Sequence, residues 1–181
     1  EQGAGVLWEF TDADDPDIGN VFGPIAIAKF KVSVVKGVPS YRYFAVVVSG
    51  LNNYVDDGKG KFNADGSSAL FLLALDKAPT DKWTAGLNYF KFTAPISDQN
   101  LPNGLSAPAL TLAGDGAVDV IYAGDLQGNM WRFDFNGSAP WKGASPKLLF
   151  VAMDANKNRQ AITQKANVVF APERGYLVLF S

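Results

Sequence analysis

The sequence predicts an all-β fold, a partial β-propeller of four-stranded antiparallel blades. Three observations predict it. Short runs of β-branched and aromatic residues recur along the chain. They are separated by punctuation, with 18 Gly and 10 Pro among 181 residues. The runs also repeat in a fixed order, unevenly spaced because the first copy carries an insertion, and four-stranded repeats of roughly 40–50 residues are the mark of propeller blades.

The strands follow in chain order. Ile25–Val35 opens after Gly23-Pro24, and Tyr41–Ser49 follows it after a Gly-Val-Pro punctuation. Ala69–Leu75 is a continuous apolar run, read as a buried strand rather than a short helix. Val118–Ala123, Asn129–Phe135 and Lys147–Ala152 have the length and β-branched or aromatic content of strands. Asn167–Phe170 and Tyr176–Phe180 complete the set. No segment keeps helical spacing over ten residues; Gln99–Leu105 is broken by Pro102 and Gly104.

The repeat is visible in the text. Gly23-Pro-Ile-Ala-Ile27 matches Ser106-Ala-Pro-Ala-Leu110 in character. Phe44–Gly50 and Val120–Gly124 then end in Ser/Ala-Gly, and Ala69–Asp76 and Asn129–Asp134 end in an acid. A third copy begins near Ile162. The expected organisation is the end of a preceding blade over 1–18, a blade over 19–98 with an insertion at 52–67, a second blade over 99–157, and the start of a third over 158–181. Two blades with fragments are too few to close a ring of roughly 4–8. The start at Glu1 and the abrupt final run lead to the expectation of a piece of a longer protein with exposed blade edges that self-associate. Asp76 and Asp134 are each followed by a polar turn and then Trp83 or Trp141. That order is similar to quinoprotein-type blades, whose indole packs between neighbouring blades with its N–H on a carbonyl.

Composition excludes several chemistries. Without His or Cys, the chain holds no Ser-His-Asp triad, Cys-His dyad, thiolate or imidazole metal site, or disulfide. A net charge of −2 argues against bulk binding to nucleic acid or anionic lipid. The greasiest runs, Tyr43–Val48 and Ala69–Leu75, fall far short of the ~20 residues of a membrane-spanning helix.

Four segments carry a family resemblance: Val6–Asp14, Asn103–Leu110, Tyr122–Asp134 and Asn158–Thr163. They resemble, in order, the C-terminal β-propeller domain of the PilC/PilY family of type IV pilus biogenesis factors and tip adhesins. The resemblance implies a non-enzymatic protein of the cell surface or fimbrium, the outer membrane or the periplasm of a Gram-negative bacterium. It implies support of pilus extension, surface attachment and twitching motility. The implied partners are minor pilins or tip components and a receptor on a host or abiotic surface.

Some members of that family carry a calcium loop, Asp-x-Asp-x-Asp-Gly-x-x-Asp, so calcium is the cofactor to weigh. Aligned on Asp115-Gly116, the loop keeps Asp115, the Ala117 carbonyl and Asp119, but has Thr111 and Ala113 at the first and third ligand positions. Calcium takes 6–8 oxygens, so the expected reading is a tight turn between strands. Asp154-Ala-Asn-Lys-Asn158 reads as a solvated inter-blade loop, and Asp12, Asp14, Asp15 and Asp17 as an exposed acidic turn with no Lys or Arg nearby in sequence. The insertion, about 16 residues long, is the expected partner-binding loop through Asn52, Asn53, Asp56, Asp57, Asn63 and Asp65. Two other readings stand beside the adhesin: a quinoprotein-like propeller enzyme and a purely structural scaffold.

Overall fold

The structure is a computed structural model that describes residues 6–181; the first five residues of the expected 1–18 segment lie outside it. Among the described residues ten strands form three antiparallel sheets. β1 (Ala26–Val35), β2 (Val38–Val48), β3 (Ser68–Ala74) and β4 (Tyr89–Ala94) make the first, in order 1-2-3-4. β5 (Ala109–Leu112), β6 (Val118–Gly124), β7 (Asn129–Asp134) and β8 (Lys147–Val151) make the second in the same order. β9 (Asn167–Ala171) and β10 (Gly175–Leu179) form a two-stranded third. A chain of consecutive antiparallel meanders is the propeller arrangement.

The β1–β2 hairpin shows how local chemistry sets register. Lys36 and Gly37 have φ of 50° and 79°, and Val35 pairs with Val38 across them. Positive φ at both central positions gives the turn whose twist matches the flanking strands. β3 explains why the run around Ala69 does not alternate: all seven residues are buried. Leu70, Leu72 and Ala74 face one apolar layer, while Ala69, Phe71 and Leu73 face another. A strand with both faces covered has no polar side to show.

Three layers of core follow from this stacking. The largest lies between the first two sheets and joins Phe30, Phe44 and Leu72 to Ile121, Phe133 and Trp141. A second lies on the outer face of the first sheet, where Trp8 and Phe10 cover Phe71 and Tyr89. A third lies between the second sheet and β9–β10, around Tyr122, Met130 and Ile162. At Gly124 a Cβ would collide with the Ile162 side chain, so this corner lets successive units approach only as glycine.

Both tryptophans of the repeat reach back to the preceding unit. Trp141 Nε1 donates to the Lys31 carbonyl on β1 at 3.0 Å, and its ring stands edge-on to Phe30, Phe44, Phe90 and Phe135. Trp83 Nε1 donates to the Glu9 carbonyl, with Trp8 and Phe10 edge-on to its ring. Edge-to-face pairs add about 0.5–1.5 kcal/mol each beyond the area they bury. The acids before them are anchored as well: Arg42 grips Asp76 through two nitrogens at 3.0 and 2.7 Å, and Arg132 and Lys147 hold Asp134.

Two strands depart from the sequence expectation. β4 was not anticipated, because Tyr89–Ala94 has polar Lys91 and Thr93 set into a short run; they occupy its outward positions while Tyr89, Phe90 and Ala94 are buried. β5 appears in sequence only as an echo of the Gly-Pro segment before β1; at four residues it is too short to read alone.

Candidate functional site

The chain between β2 and β3, residues 49–67, carries the insertion 52–67, whose base is tied down by amide groups. Asn53 is buried, and its Nδ2 donates to the carbonyls of Asp17 at 3.0 Å and Ser67 at 2.7 Å. Asn63 donates its backbone N–H to the Asn53 carbonyl at 2.7 Å, and its side-chain amide to the Asp17 carboxyl. Lys61 donates its backbone N–H to Asp12 Oδ2 at 2.6 Å and its ammonium to the Ala13 carbonyl at 2.7 Å. Between these ties Asp56 and Asp57 each accept the amide two residues on, the local turn that short acidic side chains favour. The loop and the segment around Phe10–Asp12 enclose an open cleft of roughly 620 Å³, with Asn52, Val55 and Lys59 on one side and Phe10 and Ile18 on the other.

The six predicted partner-binding residues therefore divide. Asn53 and Asn63 spend their side-chain N–H groups holding the loop's base. Asn52 lines the cleft with a left-handed φ of 65°. Asp56, Asp57 and Asp65 are exposed, and Asp57 also lines the cleft.

The acidic run 12–17 is not an exposed turn throughout. Asp15 and Asp17 are buried, at 3% and 6% exposure. Their cation comes from far along the chain: Lys91 on β4 reaches Asp15 at 2.9 Å and Asp17 at 2.8 Å. Tyr89 on the same strand donates its hydroxyl to Asp15 at 3.0 Å. Burial, then that hydrogen bond, pushes the Tyr89 hydroxyl up to about 12.

The Asp115 turn joins β5 to β6. Ala113 and Ala117 close it, with the Ala113 N–H on the Ala117 carbonyl at 2.8 Å, and Asp115 Oδ1 accepts the Ala117 N–H at 2.9 Å. The neighbouring blade supplies the rest. Tyr41 on β2 donates to Asp115 Oδ2 at 2.7 Å, and Lys29 on β1 puts its ammonium on the Asp115 carbonyl at 2.6 Å. The Ala117 amide first, then the Tyr41 hydroxyl, with Lys31 and Lys29 adding, hold the Asp115 carboxyl below its ordinary range. Asp119 lies on β6, and its charge acts instead on Tyr122 and Arg132. Asp115 and Asp119 thus serve different neighbours, and a lysine ammonium sits at the turn. These residues do not fit a calcium ion. Among the described residues no three Asp or Glu side chains gather closely enough to hold a metal.

Asp154 closes its own loop: Oδ1 accepts the amides of Asn156 and Asn158, and Oδ2 the Asn158 side chain at 3.0 Å.

One polar centre was not singled out from sequence. Asp125, fully buried at the corner between β6 and β7, accepts five hydrogen bonds. Oδ1 takes the amides of Gln127 and Asn129 at 2.9 and 2.8 Å. Oδ2 takes Asn129 Nδ2 and Trp131 Nε1, both at 2.8 Å, and Asn103 Nδ2 at 3.3 Å. Beside it Gln127 fixes the Ser97–Leu101 connection between blades with both ends of its amide, and Arg159 donates to the Gln127 carbonyl and Asn129 Oδ1. The signal was present in Asp125-Leu-Gln-Gly-Asn-Met-Trp131, where the acid and the indole lie six residues apart across a tight turn.

The model of the PilY1 beta-propeller domain matches residues 43–181. The type IV pilus biogenesis factor PilY1 of Pseudomonas aeruginosa (strain UCBPP-PA14) is 30% identical over 199 residues, covering 96% of this chain and 15% of that protein. A type IV pilus biogenesis factor PilY1 homolog of Xylella fastidiosa (strain Temecula1) is 28% identical over 184 residues, covering 97% of this chain and 11% of its own. The crystal structure of the Pseudomonas aeruginosa PilY1 C-terminal domain superposes with a TM-score of 0.68 at 26% identity, over 96% of this chain and 34% of that one. The chain thus spans well under a fifth of the curated relatives it matches.

Proposed function

The chain belongs to the PilY1 β-propeller family, and on that footing we propose that it is a non-enzymatic module of a type IV pilus biogenesis factor. It works as a rigid stack of blades that presents a binding loop. The proposed setting is the surface or periplasm of a Gram-negative bacterium, with pilus components as partners and attachment and twitching motility as outputs. The observation that carries this reading is the insertion between β2 and β3. Its base is locked by Asn53, Asn63 and Lys61, while Asp56, Asp57 and Asp65 remain exposed, Asp57 on the wall of an open cleft. Loops held on a rigid scaffold are where binding residues concentrate. A quinoprotein-like enzyme finds less support, because the polar centre at Asp125 spends both carboxyl oxygens on the fold.

The test uses the parent protein in a strain that lacks it. Removing the two full blades is expected to abolish surface pili. The triple change Asp56→Ala, Asp57→Ala, Asp65→Ala is expected to leave pili in place and to cut attachment at least several-fold. Normal piliation without the blades would sink the biogenesis role. Normal attachment by the triple variant would sink the loop as the contact and leave the scaffold reading.

A further inference from the structure

We propose that Lys29 is the resident cation of the β5–β6 turn: a side chain of the preceding blade does there what a bound metal ion would do. The turn offers a carbonyl and a carboxyl oxygen at Asp115, the kind of oxygens a hard cation takes. Lys29 fills that role from a strand 86 residues earlier, with its ammonium 2.6 Å from the Asp115 carbonyl. Tyr41, also on the preceding blade, completes the contact by donating to Asp115 Oδ2 at 2.7 Å. The two partners support each other, since the Lys29 ammonium lies 4.7 Å from the centre of the Tyr41 ring, within cation–π range. Gly116 supplies the left-handed φ of 74° that the turn requires, and the Lys29 ammonium would be in ordinary contact, 3.7 Å, with a Cβ there.

The arrangement is a clasp between blades. Lys29 and Tyr41 sit on adjacent paired strands of the first sheet, in register two residues apart (Lys29 opposite Tyr43, Lys31 opposite Tyr41). Asp115 sits at the tip of the first hairpin of the second sheet. A divalent ion entering the turn would have to displace an ammonium already attached to the fold, with Lys31 adding a second positive charge nearby. The junction between the first two blades is therefore closed without calcium, and a calcium ion has no seat at this turn. This conclusion concerns the stability of the chain and stands whether or not the proposed pilus role is correct.

Thermal melts of metal-stripped protein test it, with EDTA, millimolar calcium or millimolar magnesium, at low salt and in 1 M NaCl. Lys29→Met keeps the stem and removes the charge. The wild-type melting temperature is expected to be the same in EDTA and calcium. Lys29→Met is expected to melt ~1–3 °C lower at low salt, as for a mostly exposed charge contact, and the gap is expected to shrink by more than half in 1 M NaCl. Tyr41→Phe is expected to lower the melt by a similar amount. A calcium-specific rise in the wild type that Asp115→Asn removes would overturn the proposal. So would a Lys29→Met melt equal to wild type, or a gap unchanged by salt, which would show that the ammonium's charge is not what holds the turn.

Discussion

The corners that follow the second strand in the two full blades solve one problem in two ways. In the second blade the corner is the short turn Asp125–Gly128; in the first it is opened into residues 49–67. Both are built over buried carboxyl groups. Asp125 lies within its own turn, and four of its five hydrogen bonds come from residues no more than six positions away. The first corner has no such centre. It borrows Asp15 and Asp17 from the segment before the blade and Lys91 from β4, and it leaves Asn53 Oδ1 without a donor among the described residues. A short turn can satisfy its polar groups with its own sequence. A long one must be held from elsewhere, and its outer residues are then released from structural duty.

The comparison breaks most visibly at Asp125. Asp125→Ala takes the carboxyl from five buried donors: the Gln127 and Asn129 amides and the Trp131 indole lose it, while Asn129 Nδ2 and Asn103 Nδ2 keep only Ser97 Oγ and a long contact to Ser68 Oγ. The expected loss is about 4 kcal/mol in urea unfolding, at the upper end for single substitutions. Asp125→Asn keeps the shape but points one donor at donors, and is expected to lose at least half as much. A loss below about 1 kcal/mol for Asp125→Ala would show that the corner is held by its backbone alone.

Lys91→Met is the matching change in the first blade. It leaves Asp15 and Asp17 without their cation, but the Lys91 side chain is 30% exposed, so water takes over part of the role. The expected loss is about 2 kcal/mol, less than the 3–5 kcal/mol of a fully buried pair. Adding Asp17→Asn to Lys91→Met is expected to recover part of it. Equal losses for Lys91→Met and Asp125→Ala would erase the distinction between the corners.

The two corners also differ in how far they could be read from sequence. The second blade was legible because its information is local: the repeat of strand, Gly, turn and acid placed β6 and β7, and the Asp-to-Trp order placed Trp141 against the blade before it. Even there Asp125 was passed over, because a carboxyl in a polar turn looks solvated until Asn103 and Trp131 are brought to it. The acidic run 12–17 hides its burial for the opposite reason. Its cation is 76 residues from Asp15, and no window along the chain contains both. Asn53 and Asn63 looked like free loop residues, since an amide that braces a loop and one that greets a partner have the same composition. β4 escaped because Lys91, a polar interruption in the sequence, is the residue that neutralises Asp15 and Asp17.

The pH dependence of the first corner is a finer test of the same difference. Burial and the bond to Asp15 raise the Tyr89 hydroxyl from 10.0 to about 12. Burial works against the charge of Lys91, but its hydrogen bonds to Asp17 and Asp15 outweigh this and raise it too. Both groups therefore hold their protons more tightly folded than unfolded. Their contribution is complete below pH 10 and falls as the unfolded chain alone begins to lose protons. From Tyr89 the loss between pH 10 and 12 is about 2 kcal/mol. Tyr89→Phe, less stable at pH 8 for want of a donor to Asp15, is expected to lose correspondingly less across that window, so its unfolding free energy approaches the wild-type value. Asp125 has no Tyr or Lys among its donors, so Asp125→Asn is expected to follow the wild-type slope. Parallel wild-type and Tyr89→Phe curves from pH 9 to 12 would mean that the hydroxyl is wet in solution, and that Lys91 alone links the first corner to the segment before it.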